Sequence, residues 1–195
     1  MTLEFPDWPL LVAPGFGLRQ LVASLVEQVE TARVEGPLLL AGCSVGGYIA
    51  YDLAEALLAA GRRVGLLAII DTSVTQTFRL YDDDLTSPTR AGALRRLYWN
   101  LVRMAKPDIR GRRLGAPASL DVPVTVFVGR DPHPDRPRPP DLGWGAYCRE
   151  LRIVPVEGDH GTMFEEPQLA SLSKSFADSV AGAAEPAAAP AQVTA

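Results

Sequence analysis

The ten residues LLLAGCSVGG, at 38–47, limit what this chain can fold into more than any other part of it. The apolar run at 37–41 has the length and composition of a buried strand. It passes directly into Gly42-Cys43-Ser44-Val45-Gly46, a G-x-S-x-G sequence, and then into YIAYDLAEALL, which predicts a helix over 46–60. Strand, sharp turn and helix around a central serine is the context in which such a serine serves as a nucleophile. The turn forces the serine into a strained backbone conformation, and glycines two residues to either side remove Cβ atoms that would collide. The Ser44 hydroxyl then stands above the strand end. The Val45 N–H, at the helix N-terminus, is placed to donate to a developing oxyanion.

At 195 residues, 47% of them apolar, the chain suits one domain with one core. No run of 18 apolar residues is present, which predicts no membrane span. The opening MTLEFPDW lacks the basic-then-apolar pattern of a secretory leader. Cys43 and Cys148 form no disulfide or zinc pattern, Cys43 reads as a small buried filler, and a reducing cytoplasm is the expected compartment. A net charge of −4 argues against nucleic acid as a partner.

Around the central motif the chain alternates. Residues 8–13 (WPLLVA) read as a strand, 14–17 as a turn, and 18–31 as a helix by the spacing of Leu18, Leu21, Val22, Leu25, Val26 and Val29. Gly61 should stop the helix that follows Ser44. Residues 64–70 (VGLLAII) predict the next strand, ending at Asp71-Thr72. The alternation then lapses over about 75–120, which holds Asp82-Asp83-Asp84, a predicted helix at 89–104 and an excess of basic residues including Arg95 and Arg96. An insertion of that length at a sheet's carboxyl edge reads as a helical lid. Strands at 123–128 and 151–156, a short helix starting near 143 and a closing helix over about 167–180 complete the domain at 1–180. The Ala/Pro-rich 181–195 reads as a disordered tail. The fold expected is a reduced α/β-hydrolase: a mostly parallel sheet of about five strands, helices on both faces, and a lid.

A serine hydroxyl needs a base within hydrogen-bond reach. The chain has two histidines. His133 lies in a proline-dense loop; His160 follows the last strand, on the edge where parallel strands bring all their carboxyl ends. Ser, Asp, His is the order of α/β-hydrolases, which makes His160 the base. Asp71 and Asp131 both end strands and both remain candidates for the acid that orients it. Asp159 is adjacent to His160 in a tight loop and is discounted.

From VEGPLLLAGCSVGGYIAYDLAEALLAAGRRVGLLAIIDTSV onward, the chain resembles the thioesterase domains of nonribosomal peptide and polyketide synthases. The counterparts of that family's ordered motifs are residues 67–72, Val122-Pro123-Val124, Gly143-Trp144, and Gly158-Asp159-His160 with Met163. The resemblance runs over roughly residues 33–180. It implies Ser44, Asp71 and His160 as a triad, with Asp131 the second choice for the acid because related stand-alone editing thioesterases place it after the later strand. It also implies an acyl, peptidyl or polyketide chain carried on the phosphopantetheine arm of a carrier protein, released or transferred through an acyl-Ser44 intermediate, with no metal or other cofactor. The rival readings are a serine esterase or acyltransferase acting on a free small molecule, and a catalytically decayed module that binds a carrier.

One departure from the family stands out. A strand and the His-Pro-x-Gly-Gly-like loop that supplies the second oxyanion donor have no counterpart ahead of Ser44. A compact sheet then pairs 10–13 directly with 38–41, with the 18–31 helix as right-handed crossover. The Ala13-Pro14-Gly15-Phe16-Gly17 turn then falls beside Ser44, and two readings stay open: the Phe16 or Gly17 N–H takes over as second donor, or this is an ordinary Pro-Gly turn and the donor is missing.

Overall fold

The computed structural model describes residues 1–4, 18–74, 120–131 and 138–184. The described chain runs α1 (Leu18–Thr31), β1 (Leu38–Cys43), α2 (Val45–Ala59), β2 (Val64–Ile70), β3 (Leu120–Gly129), a single 3₁₀ turn (Trp144–Ala146), β4 (Cys148–Val156) and α3 (Gln168–Ala184). The strands form one parallel sheet in the order β1-β2-β3-β4. This is the α/β architecture expected, with four strands among the described residues against about five. The expected strand at 8–13, its pairing with 38–41, the 75–119 insertion with Arg95 and Arg96, and His133 lie outside the described residues.

The sheet divides the apolar residues of each strand between two cores, because alternate side chains point to opposite faces. In β2, Leu67 and Ile69 join a core completed by Leu21, Leu25 and Val29 of α1 and by Leu53 and Leu57 of α2. Ala68 and Ile70 join the opposite core, with Phe127, Val156, Met163 and Leu172 of α3. A strand covered on both faces needs no polar alternation, which is why VGLLAII is uninterrupted. β1 is covered less evenly: Leu38 and Leu40 are buried, while Leu39 on the other face is 44% exposed.

Gly61 ends α2 as expected. It takes φ +79°, its N–H donates to the Leu58 carbonyl at 2.9 Å, and the Arg62 N–H donates to the Leu57 carbonyl at 2.9 Å. This pair of bonds satisfies the last carbonyls of the helix. Three boundaries differ from the sequence expectation by three residues or more, one of them that of β4, which starts at Cys148 rather than 151. β3 starts at Leu120 rather than 123, since the register shift between Leu120 and Pro123 accommodates a proline with no N–H to give. α3 continues to Ala184, four residues into the stretch whose composition reads as tail; alanines favour continuing a helix that already packs on the sheet.

Candidate functional site

All four parallel strands end on one edge, and that edge carries Ser44, Asp71, Asp131 and His160. Ser44 is the single residue between β1 and α2, with φ 55° and ψ −124°. That conformation lies outside the left-handed well and is costly for a residue with a Cβ. Surrounding bonds hold it there. The Ser44 N–H donates to the Ile70 carbonyl at 3.2 Å, and the Ser44 carbonyl accepts from the Gly47 N–H at 3.0 Å. The Thr72 hydroxyl donates to the same carbonyl at 2.8 Å. Thr72, directly after the candidate acid, therefore ties the end of β2 to the nucleophile turn.

The glycines act differently from the motif expectation. A Cβ on Gly42 would overlap the Gly46 carbonyl and lie 2.8 Å from the Gly47 nitrogen, so Gly42 is required. A Cβ on Gly46 would meet nothing within 4 Å, so no such collision explains Gly46. The second crowded position is Gly47, where a Cβ would overlap the Thr72 hydroxyl. The turn is closed by helix against strand at Gly42 and by helix against Thr72 at Gly47.

Asp71 also has a positive φ, 42°, and its N–H donates to the Phe127 carbonyl at 2.8 Å. Its side chain is fully buried. Oδ2 meets His160 Nδ1 at 2.9 Å. Oδ1 accepts the Gly129 N–H at 3.3 Å. Arg138 Nη1 reaches both oxygens, at 3.0 and 3.1 Å. Burial pushes the carboxyl up, but the His160 hydrogen bond, the Arg138 charge and the Gly129 N–H together outweigh it and hold Asp71 below the ordinary carboxylate value. The Asp71 hydrogen bond raises His160 above the usual imidazole value, against burial and the Arg138 charge, which pull it down. With Nδ1–H donated to the carboxylate, the lone pair of the ring is on Nε2, as a general base requires.

Asp159, discounted as the acid, shapes the loop instead. Its Oδ1 accepts the Gly161 and Thr162 N–H groups at 2.9 Å each and the Thr162 hydroxyl at 3.0 Å. The resulting turn presents His160 toward Asp71. Asp131 is exposed, and its N–H donates to the Gly158 carbonyl at 3.2 Å. Among the described residues, the carboxylate bonded to His160 is that of Asp71. Val45 is the first residue of α2, so its N–H has no partner within the helix. Phe16 and Gly17 lie outside the described residues. Cys43 is half-buried, and burial, with the nearby Asp71 charge, pushes its thiol up to about 11, which keeps it neutral beside the serine.

Sequence reasoning named Trp144 only as part of the Gly143-Trp144 motif, without its role, and it missed Arg138 altogether. Trp144 of the Gly-Trp pair is fully buried among Tyr48, Tyr51 and Tyr147, and its indole N–H donates to the Thr72 carbonyl at 2.6 Å. Arg138 lies within the sequence RPRPPD, where nothing but an isolated charge between prolines marks it. Among the described residues no cluster of three or more His, Cys, Asp or Glu is arranged to hold a metal ion, and no helix is long and apolar enough to cross a membrane.

Residues 12–102 match the family model described as Thioesterase domain. Over 55 residues, 28% of this chain, the sequence is 42% identical to the non-reducing polyketide synthase CTB1 of Cercospora nicotianae. The match to the protein of that name in Cercospora beticola has the same extent and identity. The matched stretch spans 2% of the length of those synthases. Among solved structures, the NocB thioesterase domain in covalent complex with a fluorophosphonate nocardicin G analogue superposes with a TM-score of 0.67 at 24% identity, covering 89% of this chain and 80% of that one. The Vlm2 thioesterase domain gives 0.59 at 17% identity, covering 84% and 76%. The four-domain nonribosomal peptide synthetase AB3403 gives 0.66 at 16% identity, covering 88% of this chain and 17% of that one. The fold is that of these thioesterase domains, and in sequence the chain is similar to the thioesterase family model over residues 12–102 and to a polyketide synthase over 55 residues.

Proposed function

We propose that this thioesterase-type α/β-hydrolase domain releases or transfers an acyl chain, peptidyl or polyketide, from a phosphopantetheine thioester through an acyl-Ser44 intermediate. The observation that carries the reading is the 2.9 Å contact between His160 Nδ1 and the buried Asp71 carboxylate, on the sheet edge that also holds the strained Ser44 turn. The match to the thioesterase family model supports it.

In this reading His160 Nε2 takes the Ser44 proton as Oγ attacks the thioester carbonyl carbon. The electron pair of the carbonyl moves to oxygen, where the Val45 N–H donates to the oxyanion. Collapse breaks the carbon–sulfur bond, and the imidazolium returns its proton to the departing thiolate of the carrier's arm. Water, an internal hydroxyl or amine, or an external acceptor then attacks the Ser44 ester, with His160 again removing the proton. Asp71 stays ionised throughout; it holds the tautomer and stabilises the imidazolium. The Phe16 or Gly17 N–H is our assignment for the second oxyanion donor. A carrier protein is the expected partner, and the chemistry asks no metal of these residues.

The test is intact mass after incubation with a fluorophosphonate and with an acyl-thioester mimic. One adduct on Ser44 is expected, absent in S44A and strongly slowed in H160A and D71N, with D131N near the parent rate. Loss of reactivity in D131N with retention in D71N would move the acid to Asp131. A folded parent protein that forms no adduct would overturn the enzymatic reading in favour of a carrier-binding module.

A further inference from the structure

Arg138 is outside the motifs that carry the family resemblance, yet it is built into the site. Its side chain is 14% exposed, and one guanidinium nitrogen spans the two oxygens of the fully buried Asp71 carboxylate. The segment that delivers it is stitched to the backbone just past Asp71. The Val74 N–H donates to the Leu142 carbonyl at 3.0 Å, the Leu142 N–H to the Pro139 carbonyl at 2.9 Å, and the Trp144 indole to the Thr72 carbonyl. The guanidinium is thereby held on the same carboxylate that receives His160. Asp71 Oδ2 is shared between the two, 2.9 Å from His160 Nδ1 and 3.1 Å from Arg138 Nη1.

We propose that Arg138 is a positioning residue of this site: by holding both oxygens of Asp71 it fixes the direction from which the carboxylate meets His160 and sets how strong a base His160 is. The inference rests on the reading of Asp71 and His160 as the acid–base pair of the proposed function. An aspartate alone would stabilise the imidazolium strongly and leave His160 charged, and so idle as a base, to a higher pH. A cation on the far side of the same carboxylate tempers that attraction and repels a second positive charge on His160. Burial makes both effects larger than they would be at the surface. The Gly129 N–H completes the carboxylate's partners, so that loss of Arg138 frees the group to rotate about a single remaining backbone bond and the histidine.

The other charges near the pair come from each element packed around it. Asp159, on the loop of His160, feels the histidine and is occupied by the Gly161 and Thr162 donors. Cys43, at the end of β1, stays a neutral thiol. At the end of β3, Arg130 is paired with Glu157. Asp131 beside it is exposed. Arg138 is therefore the cation in direct contact with Asp71 among the described residues.

The experiment is a titration of the histidine ring signals by NMR in the parent, R138M, R138Q and R138K, with His160 assigned by H160Q; the chain's two histidines make the spectrum simple. The neutral variants should raise the His160 midpoint by about 0.5–1 pH unit, roughly a three- to tenfold gain in proton affinity. R138K keeps the charge and should return the midpoint most of the way. The acidic limb of kcat/KM should move to higher pH by the same amount in R138M. A folded R138M whose midpoint moves by less than about 0.2 unit, or moves down, would overturn the inference. So would unfolding of both neutral variants, since Arg138 would then be holding the fold. The ring titration needs no substrate: a shifted midpoint in a protein that forms no Ser44 adduct upholds the inference and sinks the proposed function, and an adduct with an unmoved midpoint does the reverse.

Discussion

Replacing Gly42 by alanine should damage this protein far more than replacing Gly46, although both are glycines of one motif. A Cβ on Gly42 would overlap the Gly46 carbonyl and sit 2.8 Å from the Gly47 nitrogen. The best separation for such contacts is about 3.5–4.0 Å. Every atom in the way is backbone of the first turn of α2, so no rotamer change relieves the collision. Relief requires that turn to move outward by about 1 Å, and overpacking of this kind costs about 1–3 kcal/mol. The same movement stretches two bonds that hold the turn, Ser44 N–H to Ile70 at 3.2 Å and the Thr72 hydroxyl to the Ser44 carbonyl at 2.8 Å. Each contributes about 1 kcal/mol. The sum, about 3–5 kcal/mol, is a large part of the stability of an ordinary domain. Gly46→Ala meets nothing within 4 Å and Gly46 is not among the glycines with positive φ, so it should gain about 0.5–1 kcal/mol from reduced freedom of the unfolded chain. Urea denaturation followed by circular dichroism reads both, provided the slope is unchanged. A G42A midpoint within about 0.5 kcal/mol of the parent, or a G46A loss larger than that of G42A, would refute the reasoning.

Trp144→Phe keeps the aromatic packing against Tyr48 and Tyr51 but leaves the Thr72 carbonyl without its 2.6 Å indole donor. It should cost about 1–3 kcal/mol in thermal or urea unfolding, and slow Ser44 labelling as well, because the Thr72 hydroxyl donates to the Ser44 carbonyl. The Asp71–His160 pair should make stability depend on pH at both ends. The depressed Asp71 contributes stability that is present above the unfolded value of about 3.9 and is lost as pH falls through the folded value. The raised His160 contributes stability that is fully present below about pH 6.5 and is lost as pH rises through its folded value. Unfolding midpoints measured from pH 3 to 9 — about the range spanning both groups — should show the two slopes, and D71N should flatten them; slopes that survive in D71N would assign them to other groups.

Local sequence was enough for the parts of this protein that local physics governs. The helix at 18–31 and the strand at 64–70 begin and end where their apolar spacing and flanking residues say. Gly61 stops α2, and Gly42 with Ser44 forces the turn between β1 and α2, because these depend on backbone conformation within a few residues. The position of His160 on the same edge as Ser44 was also legible, since parallel strands leave no other place for it. Which aspartate meets the histidine was not. Asp71 and Asp131 both end neighbouring strands; the residues alone left both open, and only the resemblance to thioesterase domains favoured Asp71. The structure brings Asp71, buried on β2, to His160 and leaves Asp131 exposed on the next strand, because the turn capped by Asp159 points the ring toward β2. Arg138 and the Thr72–Ser44 bond escaped notice for the same reason. They join residues 67 and 28 positions apart, and no periodicity or short motif encodes a contact across that distance. Sequence set which residues have the chemistry; only the packing of one strand end against another decided which of them touch.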